Sequence, residues 1–413
     1  MTIRRLPEDF LVEERLGQAF VSALRPERDD AAAHAVFEVR KTGLSTPVAL
    51  QGLARALGVR HDSLGYAGLK DRHAKTVQHV TAAVPPEVAG RVGAKGVASA
   101  RGNDADRDGG SWFARLIGWS PQAIAADAID GNRFTIVVRD LARNTTHELD
   151  RRAHVLKDED GLLLVNYFGD QRFGSARHGG GFAARHLIRG EFEEALKLLV
   201  GTPARKDSGA TRTMTRVAAS HWGDWKRVLG EMPRMPERGA FELLAAGKSF
   251  RDAFAALPSF TQLICVEAYQ SFLWNAVARR FVAGLGDEKT RLERDDPFGV
   301  MLFPFARSVE PALRTLNLPL FAPETQFESA WAADAEAVLA EESVRIEELA
   351  IPGLRRPYFG EAPRSLFVRA EGFVQEKPVP DSFDRTGKRF ARTLRFSLPR
   401  GAYATVVLRA LGQ

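Results

Sequence analysis

Apolar and polar residues alternate most clearly near the start of the chain. Over residues 10–14 and 34–41 the alternation puts Phe10, Val12, Ala35, Phe37 and Val39 on the buried side of half-buried strands. Thr46-Pro47 then reads as a helix N-cap followed by proline at the first helical position. Val48, Leu50, Leu53 and Leu57 carry that helix to a stop at Gly58. Leu64 to Leu69 and Val77 to Val84 are predicted to pair as strands, leaving Asp71 in the loop between them, where a rigid frame can present a reactive group. Residues 100–111 are polar and glycine-rich, a predicted surface loop. Strand character returns at Phe134 to Val138, followed by a charged helix over 145–160. From about residue 160 to 345 helical spacing dominates, most clearly over Ser259 to Phe281. Strands reappear at 365–369 and 392–398, with a final helix after Gly401. The order predicts a mixed α/β (α+β) domain built from residues 1–155 and 346–413, split by a largely helical insertion over 156–345. No internal repeat or low-complexity tract is evident.

Composition narrows the class only modestly. Of 413 residues 45% are hydrophobic and 27% charged, enough for a sizeable core. Fifty-eight Lys and Arg against 52 Asp and Glu give a net charge of +6, which permits a nucleic-acid partner without requiring one. Cys265 is the only cysteine, so no intramolecular disulfide and no cysteine-based zinc site can form. Its apolar neighbours predict a buried, inert thiol. The first ten residues lack the apolar core of a signal peptide, and no run of ~18 apolar residues appears. A reducing cytoplasm is the expected location.

The candidate chemistry begins at Gly65-Tyr66-Ala67-Gly68-Leu69-Lys70-Asp71-Arg72-His73-Ala74-Lys75-Thr76. An aspartate with an ordinary pKa near ~3.9 is ionised at neutral pH and can act as nucleophile or base. Lys70 and Arg72 would hold its charge and attract a polyanion, although the same three residues also suit a salt-bridged turn. Gly131-Asn132-Arg133-Phe134 reads as a tight turn feeding a strand. Asn166-Tyr167-Phe168-Gly169-Asp170-Gln171-Arg172-Phe173-Gly174 suits either an RNA-facing loop or a hinge that packs aromatics. Downstream, Arg177-His178-Gly179-Gly180-Gly181 could bring backbone amides to a phosphate. No H-E-x-x-H pair, G-x-x-x-x-G-K-[S/T] loop or G-x-S-x-G elbow is present, so no metal and no cofactor is expected.

Together these strings resemble, in order, the motifs of the TruD family of pseudouridine synthases. The C-terminal string Leu394 to Arg409, with Leu398-Pro399-Arg400-Gly401-Ala402-Tyr403-Ala404-Thr405 at its centre, the front string Pro7-Glu8-Asp9-Phe10-Leu11-Val12-Glu13-Glu14 and Gln270-Ser271-Phe272-Leu273-Trp274-Asn275 support the match, which spans residues 7 to 409. The resemblance implies a pseudouridine synthase-type mixed-sheet catalytic domain carrying the insertion. It implies isomerisation of uridine in tRNA, by default uridine 13 in the D-stem region, with Asp71 as the catalytic carboxylate and no cofactor. It also implies that Phe134 stacks the target base and Asn132 orients. Lys70, Arg72, Lys41, Gln171 and Arg172 would then contact RNA or supply positive potential. A monomer without an obligate protein partner is expected. The alternative is a homologue that binds RNA as a chaperone without catalysis. Two departures stand out: Ala123 to Asp130 lacks the basic residues the family places before its G-N-x-F box, and Ser45 stands where asparagine is common.

Overall fold

The structure, a computed structural model, describes residues 2–98, 110–174, 176, 181–204, 207 and 209–413. The predicted loop at 100–111 and the Arg177–Gly181 string lie largely outside the described residues; of them Gly110, Ser111 and Gly181 are described. The chain divides into two compact units. The first comprises Met1–Leu164, Phe305–Arg307 and Val368–Gln413; the second comprises Val165–Pro304 and Ser308–Phe367.

The first unit is built on one mixed sheet. Its strands in chain order are β1 (Phe10–Leu16), β2 (His34–Thr42), β3 (Leu64–Tyr66), β4 (Lys75–Ala82), β5 (Val97–Ala98), β6 (Ser111–Ser120), β7 (Ile129–Leu141) and β8 (Gly161–Val165). After the hairpin β9 (Arg291–Arg294) and β10 (Met301–Pro304) of the second unit, β11 (Phe367–Gln375), β12 (Val379–Pro380) and β13 (Phe390–Pro399) complete the sheet. The spatial order is β5-β6-β2-β4-β1-β7-β13-β11-β8, with β3 on β4 and β12 on β13. β1 and β4 run parallel, whereas β1–β7 and β7–β13 are antiparallel. Early and late strands therefore meet at the middle of the sheet.

Alternation was a sound guide to β1 and β2: Phe10, Val12, Ala35, Phe37 and Val39 are all buried. The helix Thr46–Leu57 lays Leu50, Leu53 and Leu57 on the core formed by Phe37, Val39 and Val80. Gly52 lets it approach, because a Cβ there would sit 2.4 Å from the Trp112 ring. Gly58 ends the helix in the left-handed region at φ 71°. The cap itself is Ser45, and Thr46 falls one residue inside the helix, where its hydroxyl accepts from the Lys70 amide instead. Gly131-Asn132 is not a turn. Both residues lie within β7, and a Cβ on Gly131 would meet the Leu398 carbonyl oxygen at 2.1 Å, so glycine is there to let β13 close on β7. On the helical side, Arg143–Leu156 and Ala404–Leu411 are joined where Arg152 Nη1 donates to the Leu411 carbonyl at 2.9 Å.

The second unit is organised on the helix Ser259–Gly284, with Tyr269, Leu273, Trp274 and Val277 fully buried. Its strand content is greater than the helical spacing predicts, because β9 and β10 are short and their turn, Asp295–Val300, masks them. Cys265 is buried in this helix, and burial pushes its thiol up to about 12. No helix among the described residues is long and apolar enough to cross a membrane.

Candidate active site

Asp71 lies between β3 and β4 with its side chain one-fifth exposed. Three groups fix it. Arg4 Nη2 lies 3.0 Å from Oδ2, the His73 amide donates to Oδ1 at 2.9 Å, and Lys41 Nζ donates to the Asp71 carbonyl oxygen at 2.7 Å. The carboxylate is thus ion-paired, oriented and still accessible, an arrangement that suits a preorganised reactive group.

Arg4 reaches Asp71 because its backbone occupies the left-handed region, φ 59°, which is uncommon outside glycine. Its guanidinium rests 4.3 Å over the Phe10 ring. Phe10 meets Phe134 edge-on at 6.3 Å, and Phe134 stacks on Phe396 at 5.4 Å. Phe134 is therefore two contacts away from the arginine that holds Asp71, and only 7% of it is exposed.

Behind the loop lies a buried polar layer. The Lys70 amide donates to Thr46 Oγ1 at 2.9 Å, and the Thr46 hydroxyl donates to Gln78 Oε1 at 3.2 Å. Lys70 Nζ forms an ion pair at 2.6 Å with Glu14, whose side chain is 1% exposed. The His79 amide donates to the other Glu14 oxygen at 2.8 Å. Burial pushes the Glu14 carboxyl up, but the neighbouring His79 and the Lys70 ammonium outweigh it and hold the group below the usual carboxylate range. Burial pushes the Lys41 ammonium down to about 8, with the Asp71 charge opposing the drop and Lys70 adding to it. Lys70 and Lys41 are thus committed to holding the loop.

Asn132 sits directly across β1 from Glu14 and across β13 from Leu398. Its Oδ1 is buried with no hydrogen-bond partner among the described residues, and the same holds for Gln78 Nε2. Arg72 is half-buried, and the His73 and Lys75 side chains are exposed. Gln171 and Arg172 belong to the second unit. Gln171 is exposed, whereas Arg172 pairs with Glu267 at 2.6 Å and donates to Ser271 Oγ at 3.2 Å. Much of their motif is scaffold: Tyr167, Phe168 and Phe173 are buried, and Asn275 exchanges hydrogen bonds with both backbone groups of Phe168. Among the described residues no group of three or more His, Cys, Asp or Glu could hold a metal ion.

Sequence reasoning missed Arg4, Glu14 and Thr46 as parts of this site. Glu14 closes the front string that resembles the family but was given no role in the site, and Arg4 has no periodic context at all.

Comparison with known proteins places the whole chain in one family. The model of the family described as tRNA pseudouridine synthase D (TruD) matches residues 1–295 and 304–411. The chain belongs to the TruD family. A tRNA pseudouridine synthase D of Aquifex aeolicus is 27% identical over 417 residues, covering 99% of this chain and 97% of that protein. A protein of Methanopyrus kandleri described as a probable tRNA pseudouridine synthase D is 30% identical over 401 residues, covering 94% and 88%. A crystal structure from Methanosarcina mazei, assigned as tRNA pseudouridine synthase D, superposes with a TM-score of 0.69 at 23% identity. It covers 99% of this chain and 92% of that one, and shows the shared TruD fold.

Proposed function

We propose that this chain isomerises uridine to pseudouridine in tRNA, with uridine 13 of the D-stem region as the target and Asp71 as the reacting carboxylate. The observation that carries the reading is the Asp71 loop: one accessible carboxylate, charge-paired to Arg4 and oriented by a backbone N–H. The reaction breaks the bond from the ribose C1′ to N1 and forms one from C1′ to C5. N1 gains a proton in the product and C5 loses one, so no electrons are exchanged with an outside group. A carboxylate serves this either by attacking C1′ or by removing the C2′ proton to give a glycal.

Arg4 aims the Asp71 carboxylate, and Lys41, Lys70 and Glu14 hold its backbone. Asn132, whose Oδ1 is buried without a hydrogen-bond partner among the described residues, orients the Asp71 loop from β7. Phe134 is the aromatic that stacks the target base, and in this structure it packs between the Phe10 and Phe396 rings with 7% of it exposed. Arg72 and Gln171 contact RNA, and Arg172 positions the segment carrying Gln171. Extracting the target base costs a few kcal/mol, and stacking recovers about 1–3 kcal/mol of that.

The test is pseudouridine content of tRNA transcripts incubated with wild type and with Asp71→Ala, read by carbodiimide labelling and primer extension. A stop at a single uridine with wild type alone is expected, and its position names the target. Equal labelling with both proteins refutes the role of Asp71. Binding of tRNA without labelling by either protein would favour a non-catalytic RNA chaperone.

A further inference from the structure

Arg5, next to the arginine that holds Asp71, opens onto a second feature of the first unit. A cavity of about 370 Å³ lies between Arg5 and the loop that joins β12 to β13, with Phe383 and Lys388 among its lining residues. We propose that this cavity binds the sugar-phosphate backbone of the RNA strand flanking the target uridine, with Arg5 and Lys388 as the phosphate contacts. The inference rests on the reading of the chain as an RNA-modifying enzyme.

The lining holds three cations and three carboxylates, and their partners decide which of them a ligand could meet. Asp381 accepts from the amides of Asp140 and Phe383 at 2.9 and 3.1 Å and from Arg139 Nη1 at 3.2 Å. Asp384 accepts from the amides of Thr386, Lys388 and Arg389 and from the Thr386 hydroxyl, all at 2.7–2.9 Å. Those hydrogen bonds, the Thr386 amide foremost, hold its carboxyl down at about 2. Asp140 pairs with Arg389 at 3.3 Å. All three carboxylates are therefore consumed in building the loop. Arg5 and Lys388 are exposed and have no carboxylate partner among the described residues. Three cations and three carboxylates balance across the lining, so what the cavity offers a phosphate is placement: Arg5 and Lys388 are the two cations that no carboxylate among the described residues holds.

The cation is also pre-set. The Arg5 guanidinium lies 4.2 Å over the Phe383 ring, which is 39% exposed, so its plane is fixed while its N–H edge stays available. Three non-glycine residues among those described have positive φ. Two of them, Arg4 and Asp140, flank this place, and the third, Ser343, is a helix C-cap. The turn at Arg4 separates the two adjacent arginines, sending one to Asp71 and the other to Phe383. Strain of this kind persists where the surroundings over-determine it and gathers at functional sites. The Asp71 loop and the cavity are thus tied to consecutive residues of one short segment.

The test is equilibrium binding of a tRNA transcript across a salt series, for wild type, Arg5→Gln, Lys388→Gln and the double variant. Each lost phosphate contact should flatten the slope of log affinity against log salt by about 0.7–0.9. The double variant should lose about 1.5 of slope and bind at least tenfold more weakly at low salt. Phe383→Leu keeps both charges and should weaken binding about threefold with little change in slope. A double variant with wild-type affinity and slope overturns the inference. So does a loss of affinity at unchanged slope, since that is the mark of structural damage. A free-anion site is the other way to fail: inorganic phosphate would then bind wild type tightly while the tRNA slope stays put. Pseudouridine formation by wild type is scored separately. Its absence alongside a flattened slope would sink the catalytic reading and leave this site standing.

Discussion

Lys41→Met separates the cost of burying a cation from its use. Lys41 is 1% exposed and donates to the Asp71 carbonyl, and its ammonium is pushed from the ordinary 10.5 to about 8, chiefly by burial. A drop of that size corresponds to about 3 kcal/mol, at about 1.4 kcal/mol per pH unit. The sign follows from proton counts. Between pH 8 and 10.5 the unfolded chain keeps the lysine proton while the folded protein has released it, so folding gains stability as pH rises through this window. Below pH 8 both states are protonated and the folded state bears the full cost. Methionine removes that cost but leaves the Asp71 carbonyl without its donor, a loss of about 1–3 kcal/mol. The two terms nearly cancel at pH 7. The variant should therefore match wild type within about 2 kcal/mol at pH 7 and fall behind by about 3 kcal/mol more at pH 10.5. Urea unfolding of both proteins at pH 7, 8.5 and 10.5 measures the difference, in which other titrating groups cancel. A difference that stays flat with pH refutes the assignment of a displaced Lys41 ammonium.

Glu14→Gln leaves the Lys70 ammonium nearly buried without its counter-charge. The expected cost is about 2–3 kcal/mol in urea unfolding, below the range for fully buried pairs because Lys70 keeps some exposure. A tenfold or greater fall in kcat at saturating tRNA should accompany it, and a variant with wild-type kcat would show that Lys70 does not fix the loop. Gly131→Ala forces a methyl onto the Leu398 carbonyl, so the β7–β13 ladder should open at that point. Loss of more than about 2 kcal/mol is expected, with hydrogen exchange rising at the Asn132, Leu398 and Arg400 amides beside the contact; unchanged protection there would contradict the close approach.

Much of the fold was legible because short-range pattern and final burial coincide. β1, β2 and the helix Thr46–Leu57 follow their apolar spacing, and the helix ends at the glycine that the sequence marks. β6 was not read as a strand, since Ser111–Ser120 interleaves Trp, Arg and Gly without clean alternation and is defined by pairing with β2. Gly131 misled for a related reason: a glycine chosen for close strand approach looks in sequence like one chosen for a turn. At the site, Asp71 and Lys70 stood together in one string. The residues that hold them come from Arg4, Glu14, Lys41 and Thr46, brought in by long-range pairing that leaves no local trace.

The place of β13 has a consequence for how the chain is made. β7 is complete at Leu141, but the strand that covers its outer side begins at Phe390, about 250 residues later. At about 5–20 residues per second, synthesis leaves that edge unpaired for roughly 10–50 s. During the interval β7 presents a long ladder of free N–H and C=O groups beside the strands already formed, a template for pairing with a neighbouring chain. Nascent chains interrupted before residue 390 would carry the same open edge permanently. Such fragments, and not full-length protein, are the species that should enter aggregates when expression is forced.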